Sequence, residues 1–249
     1  MRSESIVCWE ATNVNDPMLK AAGELYEQTL PPNERIPWGW IEKSVADRAR
    51  PVGWRKHLLL AAPAGRTTDP GSLAGYAYGA YIPGYGGYLC YIGVSDRVRR
   101  AGVGTTLLEG FFRAVAADAK AADESLPFVI WESHRPGPDA PADECEVWAA
   151  RVRLFDRVGA MWVEGVDFLT RDYAEADADP IPFQLFVKPM DRPAAAFGEA
   201  RLRGVIDGLH ERVYRNDPGD DLYERTLTPE SHPRLLPARL AAGERAVLV

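Results

Sequence analysis

Apolar positions along this chain switch repeatedly between period two and period 3.6. "IVCWEAT" (6–12) reads as a first strand. Asp16 and Pro17 then supply an N-cap and a first-turn proline, and Leu19, Ala22, Tyr26 and Leu30 follow at helical spacing. Beyond the loop "LPPNERIP", Trp40 to Arg50 predicts a second helix. "HLLLAAP" (57–63), "LAGYAYGAYI" (73–82) and "YLCYIGVS" (88–95) read as three strands joined by "GRTTDPGS" and "PGYGG", an antiparallel meander. Leu107, Leu108, Phe111, Phe112 and Val115 then mark one face of a helix from about Gly104 to Ala121.

"PFVIWES" (127–133) is the next strand, and because a helix leads into it, it should lie parallel to 88–95 in a right-handed crossover. "HRPGPDAPADE" reads as a proline-rich loop. Trp148, Val152, Phe155 and Val158 predict a helix closed by Gly159 at C′. "AMWVEGV" and "PFQLFVKP" read as two late strands split by the acidic loop "DYAEADADP". Past a boundary at Pro189 to Pro193, Leu202, Val205, Leu209 and Val213 trace one more helix, and the tail from Asn216 shows little period.

Composition narrows the function classes. The chain has 249 residues, 46% of them hydrophobic, enough for one large core or a core with an appendage. No apolar run reaches the eighteen or so residues of a membrane span, and "MRSESIVCWE" has no signal-like apolar core, so the expectation is a cytoplasmic protein without a membrane partner. Cys8, Cys90 and Cys145 are odd in number and widely spaced, which suggests neither a disulfide framework nor a zinc site; no metal is expected. With a net charge of −7, no block of Lys and Arg is long enough to suggest a nucleic-acid surface; the acidic balance would mildly favour a cationic substrate or simply serve solubility.

The stretch "YIGVSDRVRRAGVGTTLLEGFF" (91–112) carries the chemistry. A helix N-terminus presents unpaired N–H groups and about half a positive charge. Glycines there let an anion approach the backbone, and Gly102 and Gly104 occupy that place beside Arg97, Arg99 and Arg100. The Gly-Lys-Ser/Thr ending of a P-loop is absent, and Leu107 stands where a dinucleotide fingerprint needs its third small residue.

Arg99-Arg100-Ala101-Gly102-Val103-Gly104 resembles the Arg/Gln-x-x-Gly-x-Gly/Ala motif of the GNAT N-acetyltransferases, and "RLFDRVGA" (153–160) resembles that family's Leu-Tyr-x-x-x-Gly-Phe segment. The resemblance covers roughly residues 5–189. It implies a mixed α/β, α+β-like fold: a mostly antiparallel sheet of about seven strands with a splayed parallel central pair, helices on both faces, and a C-terminal helical extension. The division is then an acetyltransferase domain, 1–189, and an extension and tail, 190–249.

The resemblance also implies acetyl-coenzyme A as cosubstrate. Main-chain amides of Arg99, Arg100, Ala101, Gly102, Val103, Gly104 and Thr105 would grip its diphosphate. The pantetheine arm would pair with Ile92, Gly93 and Val94, with the Val94 amide or a neighbour meeting the thioester oxyanion. Phe155 stands where the family usually has a tyrosine, so it adjoins the cofactor without a proton to give. Tyr78, Tyr81, Tyr88, Tyr91 and Tyr173 are the substitutes to consider as acid.

For the base, Glu132 interrupts an apolar strand, where a carboxylate is costly unless paired or useful. The other reading pairs it with Arg135, Arg151 or Arg153, and His134 is a competing base. Tyr88 holds a position where some family members place a catalytic glutamate, so it joins Glu132 as a candidate. The implied reaction is acetyl transfer to a primary amine, of a small molecule rather than a protein, by direct attack in a ternary complex. A non-catalytic acyl-coenzyme A module is the rival. The stripe Leu202–Val213 must cover its own domain or a second copy.

Overall fold

The computed structural model describes residues 5–47, 53–98, 101–175, 177–217 and 219–243. Two compact units divide the chain, Met1–Leu126 and Pro127–Val249.

The first unit is a four-stranded antiparallel meander between two helical layers. Its strands β1 (Ile6–Glu10), β2 (Arg55–Pro63), β3 (Gly75–Ile82) and β4 (Gly86–Val94) pair in that order. Alternation divides their side chains between two faces. Leu58, Leu60, Ala62, Tyr76, Tyr78 and Tyr91 pack on Met18, Leu19, Ala22 and Tyr26 of α1 (Pro17–Thr29) and on Ile41 and Val45 of α2 (Trp38–Ala46). The second helix is thus shorter than Trp40 to Arg50, and the end of that stretch lies outside the described residues. The other face carries α3 (Val103–Ala121). Two β3 glycines let it approach: a Cβ on Gly75 would sit 3.0 Å from Leu107 and Val103, and one on Gly79 2.5 Å from Phe111.

One register shift breaks the meander. Tyr91 opposes Tyr78 but Leu89 opposes Gly79, so Cys90 is an extra residue in β4, a bulge. Hydrogen bonds tie the loop after α1 to this strand. Tyr26 Oη donates to the Ile36 carbonyl at 2.8 Å, and the Ile36 amide donates to Tyr91 Oη at 3.0 Å.

The second unit is also antiparallel. β8 (Ile181–Pro189) pairs along one edge with β5 (Phe128–His134), and along the other with β6 (Met161–Glu164) and β7 (Phe168–Thr170). The helix α4 (Ala142–Arg157) covers one face, with Phe155 5.2 Å from Trp131 and 4.8 Å from Phe186. It begins inside the stretch read as a loop. Asp143 and Glu144 in its first turn suit the positive end of the helix.

The extension is built into this unit. α5 (Glu199–Gly208) runs into a widened, π-type turn, Leu209–Tyr214, and covers the face opposite α4. Leu202, Ile206 and Leu209 are fully buried there, and Phe197 just before the helix meets Phe128 of β5. The stripe therefore covers its own unit. α6 (Asp221–Thr226) follows, with Thr226 Oγ1 accepting from the Leu169 amide of β7 at 3.1 Å. β9 (Arg234–Pro237) then pairs with β6, a strand in the tail that had shown no period. With β7 it brings the described strands to nine, against about seven expected. The class is the expected one, mixed α/β with mostly antiparallel pairing. Among the described residues no helix is long and apolar enough to cross a membrane.

Each unit contains a buried histidine, and their surroundings shift the two rings in opposite directions. His57 of β2 bonds Glu10 of β1 through Nδ1 at 2.7 Å and Asp118 of α3 through Nε2 at 2.8 Å. Burial disfavours its charge, but the two carboxylates outweigh burial and raise its pKa. His210, on the widened turn, lies 4.6 Å from the Phe168 ring and 4.7 Å from that of Tyr223. Its Nδ1 meets the Asn216 amide at 3.1 Å, while Nε2 is buried without a hydrogen bond. Burial pushes this ring down to about 4, with Asp207 and Asp220 opposing.

Opposite linkage signs follow. The His57 clamp contributes fully below the ordinary value of 6.5 and is lost as pH rises through its raised folded value. His210 excludes a proton that the unfolded chain accepts, so its unit loses stability as pH falls from 6.5 through about 4. The loss is at most roughly 3 kcal/mol. Amide exchange, corrected for intrinsic pH effects, should show protection of β2 weakening at alkaline pH and of β8 weakening below pH 6.5. Protection that does not change with pH in both strands would contradict these assignments.

Candidate active-site residues

The motif loop ends at Gly102, whose φ of 81° is left-handed, a conformation glycine adopts without strain. A Cβ on Gly102 would meet nothing within 4 Å, so the backbone there is open. No side chain caps α3, and its first helical hydrogen bond runs from the Thr106 amide to the Gly102 carbonyl at 3.0 Å. The amides of Val103, Gly104 and Thr105 precede that bond and have no acceptor within the helix. Thr105 Oγ1 is buried without a hydrogen-bond partner. An orphan hydroxyl beside orphan amides is a donor set that fits a phosphate oxygen. Ala101 is exposed just before the turn. Arg99 and Arg100 lie outside the described residues.

β4 leads into this loop, and its bonding pattern sorts the predicted pantetheine residues. The Ser95 amide bonds the Ala74 carbonyl at 2.9 Å, which makes Tyr76 and Gly93 the pair that exchanges main-chain bonds. The polar groups of Gly93 therefore point at β3, and those of Ile92 and Val94 point to the other edge of β4. Gly93 has a steric part: a Cβ there would lie 2.4 Å from Tyr76 Cε1 and 2.6 Å from Thr29 Oγ1. Tyr88 is buried opposite Ala80.

Comparison with known proteins bears on this geometry. No protein-family model matches the chain, and no curated protein sequence does. Solved structures do match. One is a protein assigned to the GNAT family of acetyltransferases from Bacteroides thetaiotaomicron, at 17% identity and TM-score 0.53, covering 84% of this chain and 99% of that one. Another is an aminoglycoside 6′-N-acetyltransferase complexed with coenzyme A, at 14% identity and TM-score 0.51, covering 75% of this chain and 99% of that one. The chain has the GNAT acetyltransferase fold.

Within the GNAT fold, Glu132 stands on β5. Its neighbours Trp131 and Ser133 face α4: Trp131 meets Phe155, and Ser133 Oγ accepts from Arg151 Nη1 at 3.1 Å. Glu132 and His134 alternate to the opposite face. There Glu132 Oε1 accepts from Tyr214 Oη at 2.5 Å. Arg151 also reaches the His134 carbonyl at 3.5 Å, and the ring of His134 lies 5.8 Å from Phe183.

Phe155 is 1% exposed, a core ring of the second unit. Among the tyrosines considered as acid, Tyr81 donates to Glu124 Oε2 at 2.7 Å, with burial and that carboxylate pushing its pKa up to about 12. Burial likewise raises Tyr78 to about 12, and Tyr91 is engaged with Ile36 and Tyr26. Tyr173 is 49% exposed. The tyrosine that does reach the candidate base, Tyr214, was not among them. It is 82 positions from Glu132, and no local pattern signals that contact. Among the described residues no cluster of His, Cys, Asp and Glu could hold a metal.

Because the strand has no room for a side chain at Gly93, Gly93→Ala should lower stability by about 1–3 kcal/mol. Chemical denaturation measures this, and an unchanged midpoint would contradict the packing described.

Proposed function

We propose that this chain transfers the acetyl group of acetyl-coenzyme A to a primary amine, as a cytoplasmic enzyme. The observation that carries the reading is the uncapped opening of α3, with left-handed Gly102 and the orphan Thr105 hydroxyl. Val103, Gly104 and Thr105 would hold the diphosphate through their amides, assisted by Arg97 and, from the motif, Arg99, Arg100 and Ala101. Ile92 and Val94, whose polar groups point away from β3, would meet the pantetheine arm and the acetyl oxygen. A donor fixed in advance for that oxygen is worth ~3–4 kcal/mol in other acyl-transfer sites. The bound group supplies an activated thioester, and the protein supplies position and proton handling.

Proton accounting selects the side chain that matters. An alkyl amine has a pKa of ~10.4, so presenting it neutral at pH 7 costs roughly 4–5 kcal/mol. A leaving thiol near ~8.5 departs as thiolate for roughly 2 kcal/mol. The base is therefore the larger need, and Glu132 fills it. The absence of a hydroxyl on Phe155 is tolerable for the same reason. Tyr88, buried on β4, lines the acceptor side. Three unbridged cysteines, Cys8, Cys90 and Cys145, fit a reducing compartment.

The acceptor is proposed to be a small amine, in keeping with the acidic balance of the chain and the tyrosine-rich β3 and β4. Phe155 favours a second reading, a module that binds acyl-coenzyme A without turnover. Thiol release from acetyl-coenzyme A over a panel of polyamines, aminoglycosides and lysine peptides separates the two. Release with at least one small amine is expected, and none with any amine would reject acetyl transfer. Glu132→Gln should lower kcat most below neutral pH; an equal loss at every pH would contradict its role as base.

A further inference from the structure

The residue bonded to Glu132 comes from beyond residue 189, where the sequence resemblance to the acetyltransferases ends. Tyr214 is the last residue of the widened turn that ends the α5 segment. Its ring lies 5.2 Å from Phe168 of β7, and Phe168 also supports His210 one turn earlier. The chain then turns away at Arg215, whose φ of 59° is left-handed. A π-type turn inserts a residue into the helical spiral and redirects the side chains that follow. Here the redirected side chain is Tyr214, and its hydroxyl donates to Glu132 Oε1 at 2.5 Å.

We infer that Tyr214 is a positioning residue: the C-terminal extension uses it to fix the Glu132 carboxylate for taking the proton of the acceptor amine. This rests on the acetyl-transfer reading above. A carboxylate on β5 has rotational freedom and two equivalent oxygens. A short bond from a phenol fixes its plane, assigns one oxygen to the protein and favours the ionised form that a base needs. In the step, the amine nitrogen bonds the acetyl carbon and the carbon–sulfur bond breaks. The amine proton passes to the Glu132 carboxylate, and the electron pair leaves on the thiolate. Tyr214 keeps its own proton throughout. Among the described residues, His134 lies two residues along the same face of β5, and His210, Glu211 and Arg212 lie on the same turn as Tyr214.

The test compares full-length wild type, Tyr214→Phe, Glu132→Gln and the double variant by thiol release from pH 5.5 to 9, using the best amine of the panel. Tyr214→Phe keeps the ring on Phe168. It should lower kcat about ten- to a hundredfold. The KM for acetyl-coenzyme A should stay within about twofold, and the acidic limb of the profile should move to higher pH. The double variant should be no worse than Glu132→Gln alone. If Tyr214→Phe folds poorly by its melting curve, 3-fluorotyrosine at position 214 gives an isosteric, more acidic donor, and the acidic limb should move to lower pH. A Tyr214→Phe enzyme with the wild-type rate and profile would overturn the inference, as would losses that multiply in the double variant. Wild type inactive with every amine would refute the acetyl-transfer reading itself, and the inference with it.

Discussion

Unsatisfied main-chain amides at the start of a helix are the constraint on which this account depends. A helix of nineteen residues must leave its first N–H groups without helical partners, and α3 gives them no side-chain cap. Asp16 accepts from the Met18 amide of α1 and Asp220 from the Leu222 amide of α6, whereas α2, α4 and α5 share with α3 the lack of a side-chain cap; the partnerless Thr105 hydroxyl is what α3 adds. The open end of α3 is also fixed in place. Val103 and Leu107, in its first two turns, press on bare backbone at Gly75, and Phe111 does the same at Gly79. Core packing in the first unit thus holds the very amides that would meet a diphosphate.

The second unit is organised around an aromatic core and a face-to-face covering of its strands. Trp131, Phe155 and Phe186 form one side, and the α5 segment closes the other. Phe155, without a hydroxyl, and Tyr214, with one, lie on opposite faces of the same strands. The chemistry of the proposed reaction tolerates that arrangement. A thiolate departs at small cost, whereas a charged amine must lose a proton before it attacks. In the proposed reaction, a carboxylate held by a phenol would serve the amine, where the barrier from protonation is higher.

The sequence carried the architecture where local rules decide it. β1 to β4 were legible because buried alternation and glycine turns leave few other solutions, and α3 because its apolar face is nearly ideal. The first half of α4 was missed because prolines and acids resemble a loop, although Asp143 and Glu144 after Pro141 form a helix start signal. β7 and β9 contain three and four residues, too few to show a period. The glycine turn that opens α3 was readable because its glycines and helix are consecutive. What joins distant positions was not: the His57 clamp spans 47 and 61 positions, and the Cys90 bulge is a matter of pairing rather than composition. His57, a polar residue opening "HLLLAAP", was the available hint.

The most direct measurement is a titration of ¹⁵N-labelled protein with coenzyme A, followed amide by amide. The account predicts that the largest shifts fall on Val103, Gly104 and Thr105, joined by Ile92 and Val94 of β4. Saturable binding that leaves those amides unmoved, with the largest shifts elsewhere, would contradict it.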